Sequence, residues 1–198
     1  MRLFWARGFD GTSMNDLAAA TGMAKPGLYA TFGDKQALYQ KALARYVGEL
    51  SEPVIGGAGA TDPIDVVLRR HLEWVAALAS DPTGSGGCMV VNTLVECAHK
   101  AEGLEAAGQR ISAERRQALL QRLEAARVNG ELPAGTDIDA LTTFYSGQVV
   151  ALAVMARSGA DAATLAQLID VAMTALPAVR DRGSRADETG PRVDPAPV

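Results

Sequence analysis

Residues 13–39 read SMNDLAAATGMAKPGLYATFGDKQALY, and the punctuation of this stretch decides the fold. Ser13 followed three residues later by Asp16 is a capping box, in which each side chain satisfies an amide left open at a helix start; it predicts a short helix over Met14–Thr21. Gly22 stops that helix by taking a conformation that side-chain-bearing residues resist. A second helix follows from about Lys25 to Phe32, with Pro26 in the first turn, where a missing amide donor does no harm, and Gly33 at its end. Leu17 and Ala18 of the first helix face Leu28 and Phe32 of the second across the glycine turn, which is a helix-turn-helix arrangement. It directs Lys25, Gly27, Tyr29 and Thr31 outward, toward a DNA major groove, and sets Lys35 where it would hold a phosphate.

Outward from this motif the chain reads as helices throughout. Asp34 caps a longer helix to about Glu49, with Leu38, Tyr39, Ala42, Leu43 and Tyr46 on one face. A glycine-rich loop at Gly56–Thr61 marks a boundary, and Asp62-Pro63 reads as the cap and first-turn proline of a helix to about Ser80. After a loop at Asp81–Gly87 come helices from Cys88 to about His99, from Leu104 to Asn129, from Ile138 to Ser158 and from Asp161 to Leu176. Pro177–Val198 carries four prolines and few apolar side chains, so a disordered tail is expected there. The fold class is therefore all-α, with a three-helix DNA-binding head at 1–48, a helical ligand-binding and dimerisation domain at 49–176, and a tail at 177–198.

Composition agrees. Of the 198 residues, 48% are hydrophobic and only 5% aromatic, so strong helix formers supply the core. Residues 1–48 hold six Lys/Arg against three Asp/Glu, whereas the rest holds thirteen against twenty, a basic head on an acidic body that suits an anionic partner at one end. The apolar runs, such as 149–156, fall short of the ~20 residues of a membrane span, and two cysteines fit a reducing compartment. A cytoplasmic protein with no membrane partner is expected.

The run LFWARGFDGTSMNDLAAATGMAKPGLYATFGDKQALY, from Leu3 to Tyr39, closely resembles the DNA-binding domain of the tetracycline repressor (TetR/AcrR) family. GCMVVNTLVECA and MARSGADAATLAQLIDVAMTAL look more loosely like C-terminal domains of that family. The resemblance implies a homodimeric regulator, usually a repressor, in which a small-molecule effector changes the spacing of two heads on a near-palindromic double-stranded operator. It also puts Ser13, Lys25, Gly27, Tyr29, Thr31 and Lys35 at DNA-contact positions. Two departures stand out. Family members carry more chain before the equivalent of Met1, so the first helix here begins midway and the native start is expected upstream. Ala24 stands where the family usually has a serine or threonine cap, whose loss costs roughly 0.5–2 kcal/mol.

The helix from Ile138 places Leu141, Tyr145, Gln148, Leu152 and Met155 at alternating spacings of four and three, a seam for a partner helix. Phe144, Val150, Ala151 and Val154 make its other side apolar as well, and a helix apolar all round needs cover on both sides. Pairing with Leu165, Leu168, Ile169, Ala172 and Met173 of the last helix and with a second chain gives a four-helix dimer interface. Trp74, Leu78, Met89, Asn92, Glu96, Phe144 and Gln148 combine apolar walls with a few polar groups and are the candidate effector pocket, although Trp74 and Phe144 also suit an ordinary core. Cys88 and Cys97, near Glu96 and His99, leave a redox- or metal-sensing regulator as an alternative, and a helical interaction protein without DNA binding is another. The sequence shows no metal-ligand pair at helix spacing and no phosphate loop, and its histidines are His71 and His99 alone, so neither catalysis nor a cofactor is expected.

Overall fold

The computed structural model describes residues 1–50, 62–81, 86–98 and 101–177. Among them the chain forms nine helices and no strand: α1 (Arg2–Arg7), α2 (Met14–Thr21), α3 (Lys25–Phe32), α4 (Lys35–Leu50), α5 (Ile64–Ser80), α6 (Met89–Glu96), α7 (Glu102–Val128), α8 (Ile138–Arg157) and α9 (Ala162–Met173). The 56–61 loop, His99 and the expected tail beyond Pro177 lie outside the described residues.

Local side-chain caps account for four of the helix starts, those of α2, α4, α8 and α9. The Ser13–Asp16 box is formed in both directions, the Asp16 amide donating to Ser13 Oγ at 3.1 Å and the Ser13 amide to the Asp16 carboxylate at 2.8 Å. Asp34, Asp137 and Asp161 each accept from the amide three residues on, at 2.7, 2.9 and 2.8 Å. The start of α5 differs from expectation. Pro63, in an extended conformation, is itself the N-cap and has no side chain to offer, and Asp62 pairs with Arg70 at 2.9 Å instead of capping. The open amide of Ile64 is satisfied from far along the chain by the Glu131 carboxylate at 2.6 Å. Arg122, almost wholly buried, holds that carboxylate at 3.2 Å and donates to the Asp62 carbonyl at 2.6 Å.

Two clusters of buried side chains divide the interior. One joins Phe4, Trp5, Leu17, Leu28, Tyr39, Leu43 and Tyr46 of the N-terminal helices to Met89, Val90 and Cys97 in the α6 region and to Leu104 and Ile111 of α7. Head and body thus share one core, and each fully buried large side chain in it contributes roughly 1.5–3 kcal/mol. The other packs α5 against α7, α8 and α9 through Leu68, Leu72, Leu123, Leu152, Leu165 and Ile169.

That second cluster revises the dimer seam. Tyr145, Leu152, Leu165 and Ala172 are buried within the single chain, so a partner chain cannot bury them again, while Leu141, Met155 and Leu168 are half-buried at the rim. The outward side instead carries Phe144, Val150, Val154 and Val171, between 37 and 68% exposed. Helix α8 also departs from the expectation drawn from its short apolar runs: its 20 residues are long and apolar enough, by length and composition, to cross a membrane. Its inner side nevertheless packs as a core helix against α5, α7 and α9.

Arg122→Met leaves Glu131 without its cation and loosens the start of α5. We expect urea denaturation to show a loss of about 2–3 kcal/mol, below the ~3–5 kcal/mol of a fully enclosed pair because Glu131 stays 25% exposed. Adding Glu131→Gln to that variant should restore part of the loss; an unchanged midpoint in the single variant would contradict this role.

Candidate nucleic-acid interface

The head is built so that α3 is held from behind and open in front. Leu17 of α2 and Leu28 of α3 are buried between the helices, and Gly22 makes the turn at φ 70°, in the left-handed region. On the outward side Lys25, Tyr29 and Thr31 are exposed, and Gly27 is half-buried. Ala24 is the N-cap of α3 and makes no side-chain cap bond; Pro26 has no amide hydrogen and the Gly27 amide donates to the Ala24 carbonyl at 2.9 Å, so the start of α3 is closed by backbone alone. Ser13 is exposed at the start of α2, with its hydroxyl engaged in the capping box. Lys35 is half-buried and rests its ammonium 4.2 Å above the Phe9 ring, a cation–π contact that holds the charge beside α1.

Helix α4 carries the head onto the body. Thr93 Oγ1 donates to the Met89 carbonyl at 2.7 Å, so the Tyr39 hydroxyl, 2.8 Å away, is the donor to Thr93. Burial pushes the Tyr39 hydroxyl up to about 12, which keeps it a donor at any working pH. Phe4 and Phe9 meet its ring edge-on, with centroids 4.9 and 5.4 Å away. About two turns farther along, Tyr46 stacks edge-on with Trp5 and donates to Cys88 Sγ at 3.5 Å.

The seven residues expected around an effector do not form one group. Glu96 turns to the head: its carboxylate accepts from the Phe9 amide at 3.1 Å, an amide just past the end of α1 that would otherwise lack a partner. Phe144 lies on the exposed side of α8, in contact with the Tyr145 ring and lining a shallow surface depression with Pro133, Leu141 and Pro177. Met89 is fully buried in the head–body core, with Leu78 packed against it, and Trp74 packs on the other cluster. Gln148 is half-buried on α8. Asn92 is buried, and its Nδ2 has no hydrogen-bond partner.

His71 is a residue that sequence reasoning passed over as an isolated histidine. Its Nδ1 is buried without a hydrogen-bond partner, on the turn of α5 before Trp74. Burial, with the positive charge of Arg115 as a smaller cause, lowers its pKa to about 4, so the ring is neutral at physiological pH. A histidine three residues before an expected pocket residue on the same predicted helix was the available signal. Cys88 and Cys97 form no disulfide and are buried, filling the core rather than presenting a thiol. No cluster of three or more His, Cys, Asp or Glu suited to a metal occurs among the described residues.

A short helix held from behind by a glycine-turned partner, on a head continuous with an all-helical body, defines a helix-turn-helix DNA-binding protein. Residues 1–42 match the family described as bacterial regulatory proteins, tetR family, and residues 67–175 match the tetracyclin repressor-like C-terminal domain. The chain belongs to the TetR family of transcriptional regulators. It is similar to the HTH-type transcriptional repressor ComR of Escherichia coli K12, at 26% identity over 177 residues, covering 89% of this chain and 83% of ComR. A cysteine mutant of the TetR family transcriptional regulator CifR, solved with a 26-base-pair operator duplex, is 27% identical with a TM-score of 0.80, covering 89% of this chain and 92% of that one. A TetR transcriptional regulator from Rhodococcus sp. RHA1 is 33% identical with a TM-score of 0.56, covering 90 and 96% of the two chains.

Two variants check the local chemistry. Ala24→Ser offers the Gly27 amide a side-chain acceptor beside the Ala24 carbonyl and should stabilise the protein by about 0.5 kcal/mol, the low end of cap energies, read as a small rise in Tm; no rise would mean that the Gly27 amide keeps its carbonyl partner. For His71, the unfolded chain takes up a proton near pH 6.5 that the folded chain refuses until about pH 4. Stability should therefore be unaffected by this group above pH 6.5 and decline by about 3 kcal/mol as pH falls through that window. Denaturation curves at pH 7 and 4.5 should show a smaller pH-dependent loss for His71→Leu than for the wild type, and equal losses would contradict the assignment.

Proposed function

We propose that this chain is a homodimeric, cytoplasmic transcriptional repressor that binds a near-palindromic operator through α3 and is released by a small-molecule effector held in its helical body. The observation that carries the reading is the geometry of α3, with Leu28 buried behind it and Lys25, Tyr29 and Thr31 exposed along its front. Lys25 is the long hydrogen-bonding side chain at the leading end and is assigned to base edges. Lys35 and Ser13, at the starts of α4 and α2, are assigned to phosphates, which position the head without reading sequence. Gly27 lets the backbone of α3 approach the duplex closely.

Dimerisation supplies the second head. The exposed ridge of Phe144, Val150 and Val154 on α8, with Val171 on α9, is assigned to the interface, flanked by the half-buried Leu141, Met155 and Leu168. Two-fold symmetry then places two α3 helices in successive major grooves, roughly 34–36 Å apart. The effector is assigned to the side of α6 that carries Asn92, beside the cluster that holds Met89 and Leu78. The unpaired Asn92 Nδ2 calls for a ligand carrying a hydrogen-bond acceptor. Relatives support the regulatory reading: ComR is a repressor by name, and CifR was solved on operator DNA.

The test is binding to the DNA upstream of the protein's own coding region, measured over a range of salt. Affinity should fall steeply as salt rises, and Lys35→Ala should weaken binding to all sequences alike and reduce the log–log slope by about 1. Lys25→Ala should relax preference at particular base pairs; uniform loss in both variants would contradict the separate roles. Val154→Glu should convert a two-chain species to monomer in sedimentation and abolish tight operator binding, whereas a wild-type monomer would defeat the dimer reading.

A further inference from the structure

The end of α1 is gripped from two sides by charged groups of the body. From one side the Glu96 carboxylate of α6 accepts the Phe9 amide, and it fills the place a side chain at Gly8 would occupy. Gly8 has φ 72°, so glycine is demanded there twice, by conformation and by space. From the other side comes Arg157, the last residue of α8. Its guanidinium donates to the Trp5, Ala6 and Gly86 carbonyls at 3.5, 3.4 and 3.3 Å. The Trp5 and Ala6 oxygens belong to the last turn of α1, where carbonyls lack helical partners and a cation is favoured.

The stem of Arg157, an exposed residue, runs close past Gly87. A side chain at Gly87 would meet the Arg157 Cβ at 3.3 Å and its Cδ at 3.4 Å, and the Gly87 carbonyl accepts from the Trp5 indole at 3.0 Å. Arg157 also lies one helical turn beyond Val154, at the end of the exposed apolar ridge of α8. The helix assigned to the dimer interface therefore ends directly on the reading head, by a route that does not pass through α4.

We infer that Arg157 is a positioning residue for operator recognition: its planar fork locks the carbonyl end of α1 to the dimer-forming helix and so sets the distance between the two α3 helices. This rests on the dimeric DNA-binding reading above. A fork with five donors can hold carbonyls of two chain segments in one geometry, whereas a lysine ammonium is a point donor on a flexible stem. Removing the fork lets each head tilt on the core beneath it, so operators with the wrong half-site separation lose less.

The experiment selects a symmetric site with the wild-type full chain from a randomised duplex library. Affinity is then measured for that site and for versions with one base pair added to or removed from the spacer. The wild type should lose at least about ten-fold on either change, while Arg157→Ala and Arg157→Lys lose less than about three-fold. Half-site sequence preference, salt slope and sedimenting mass should stay those of the wild type, because α3 and the interface are untouched. Should the alanine variant fail to fold, the lysine variant, which keeps the charge without the fork, decides alone. Retention of the ten-fold discrimination by the folded variants overturns the inference and leaves the broader reading standing; failure of the wild type to select any symmetric site overturns the broader reading itself.

Discussion

The hydrogen bond from Tyr39 to Thr93 is the constraint on which the arrangement of head and body depends. A hydroxyl buried among Phe4, Phe9 and Met89 is costly without a partner, and Thr93 spends its own proton on the Met89 carbonyl. The pair is satisfied in one register of α4 against α6, which fixes where the recognition helix sits relative to the body. The aromatic edges around Tyr39 fill the remaining space, so that a slip of one turn would both unpair a polar group and open a void.

From this junction the body can influence the head in concrete ways. Thr93 and Glu96 lie on the same short helix, one holding Tyr39 of α4 and the other the Phe9 amide beyond α1. Any movement of α6 is therefore felt at two points of the head. Asn92, beside Thr93, has an unpaired buried donor, so a ligand that satisfies it acts one residue from the junction. Coupling of the usual size, ~1–3 kcal/mol, changes affinity some 5 to 150-fold, enough for release from an operator.

The helices were legible because their punctuation is local. Ser13 with Asp16, Gly22, Gly33, Asp34 and Asp161 act on residues three or four away, and these signals appear in the structure where the sequence puts them. The front of α3 was legible for the same reason, since a two-turn helix with Leu28 inside has its opposite side determined. Long-range partners were not. Nothing in the sequence ties Glu131 to Ile64, Glu96 to Phe9 or Arg157 to Trp5, because these pairs are made by the tertiary fold. Helix α8 shows the limit of periodicity: with apolar residues on every side, the spacing of Leu141, Tyr145 and Leu152 identified a real face but not which neighbour covers it. Packing against α5 and α9 claimed that face and left Phe144, Val150 and Val154 outside.

Hydroxyl-radical and guanine-N7 protection of a bound operator duplex tests most directly whether α3 reads DNA as one of a symmetric pair. Two protected patches should appear, centred about 10–10.5 base pairs apart, with guanine N7 atoms shielded in both intervening major-groove segments. A single patch, or protection confined to the minor groove, would contradict it.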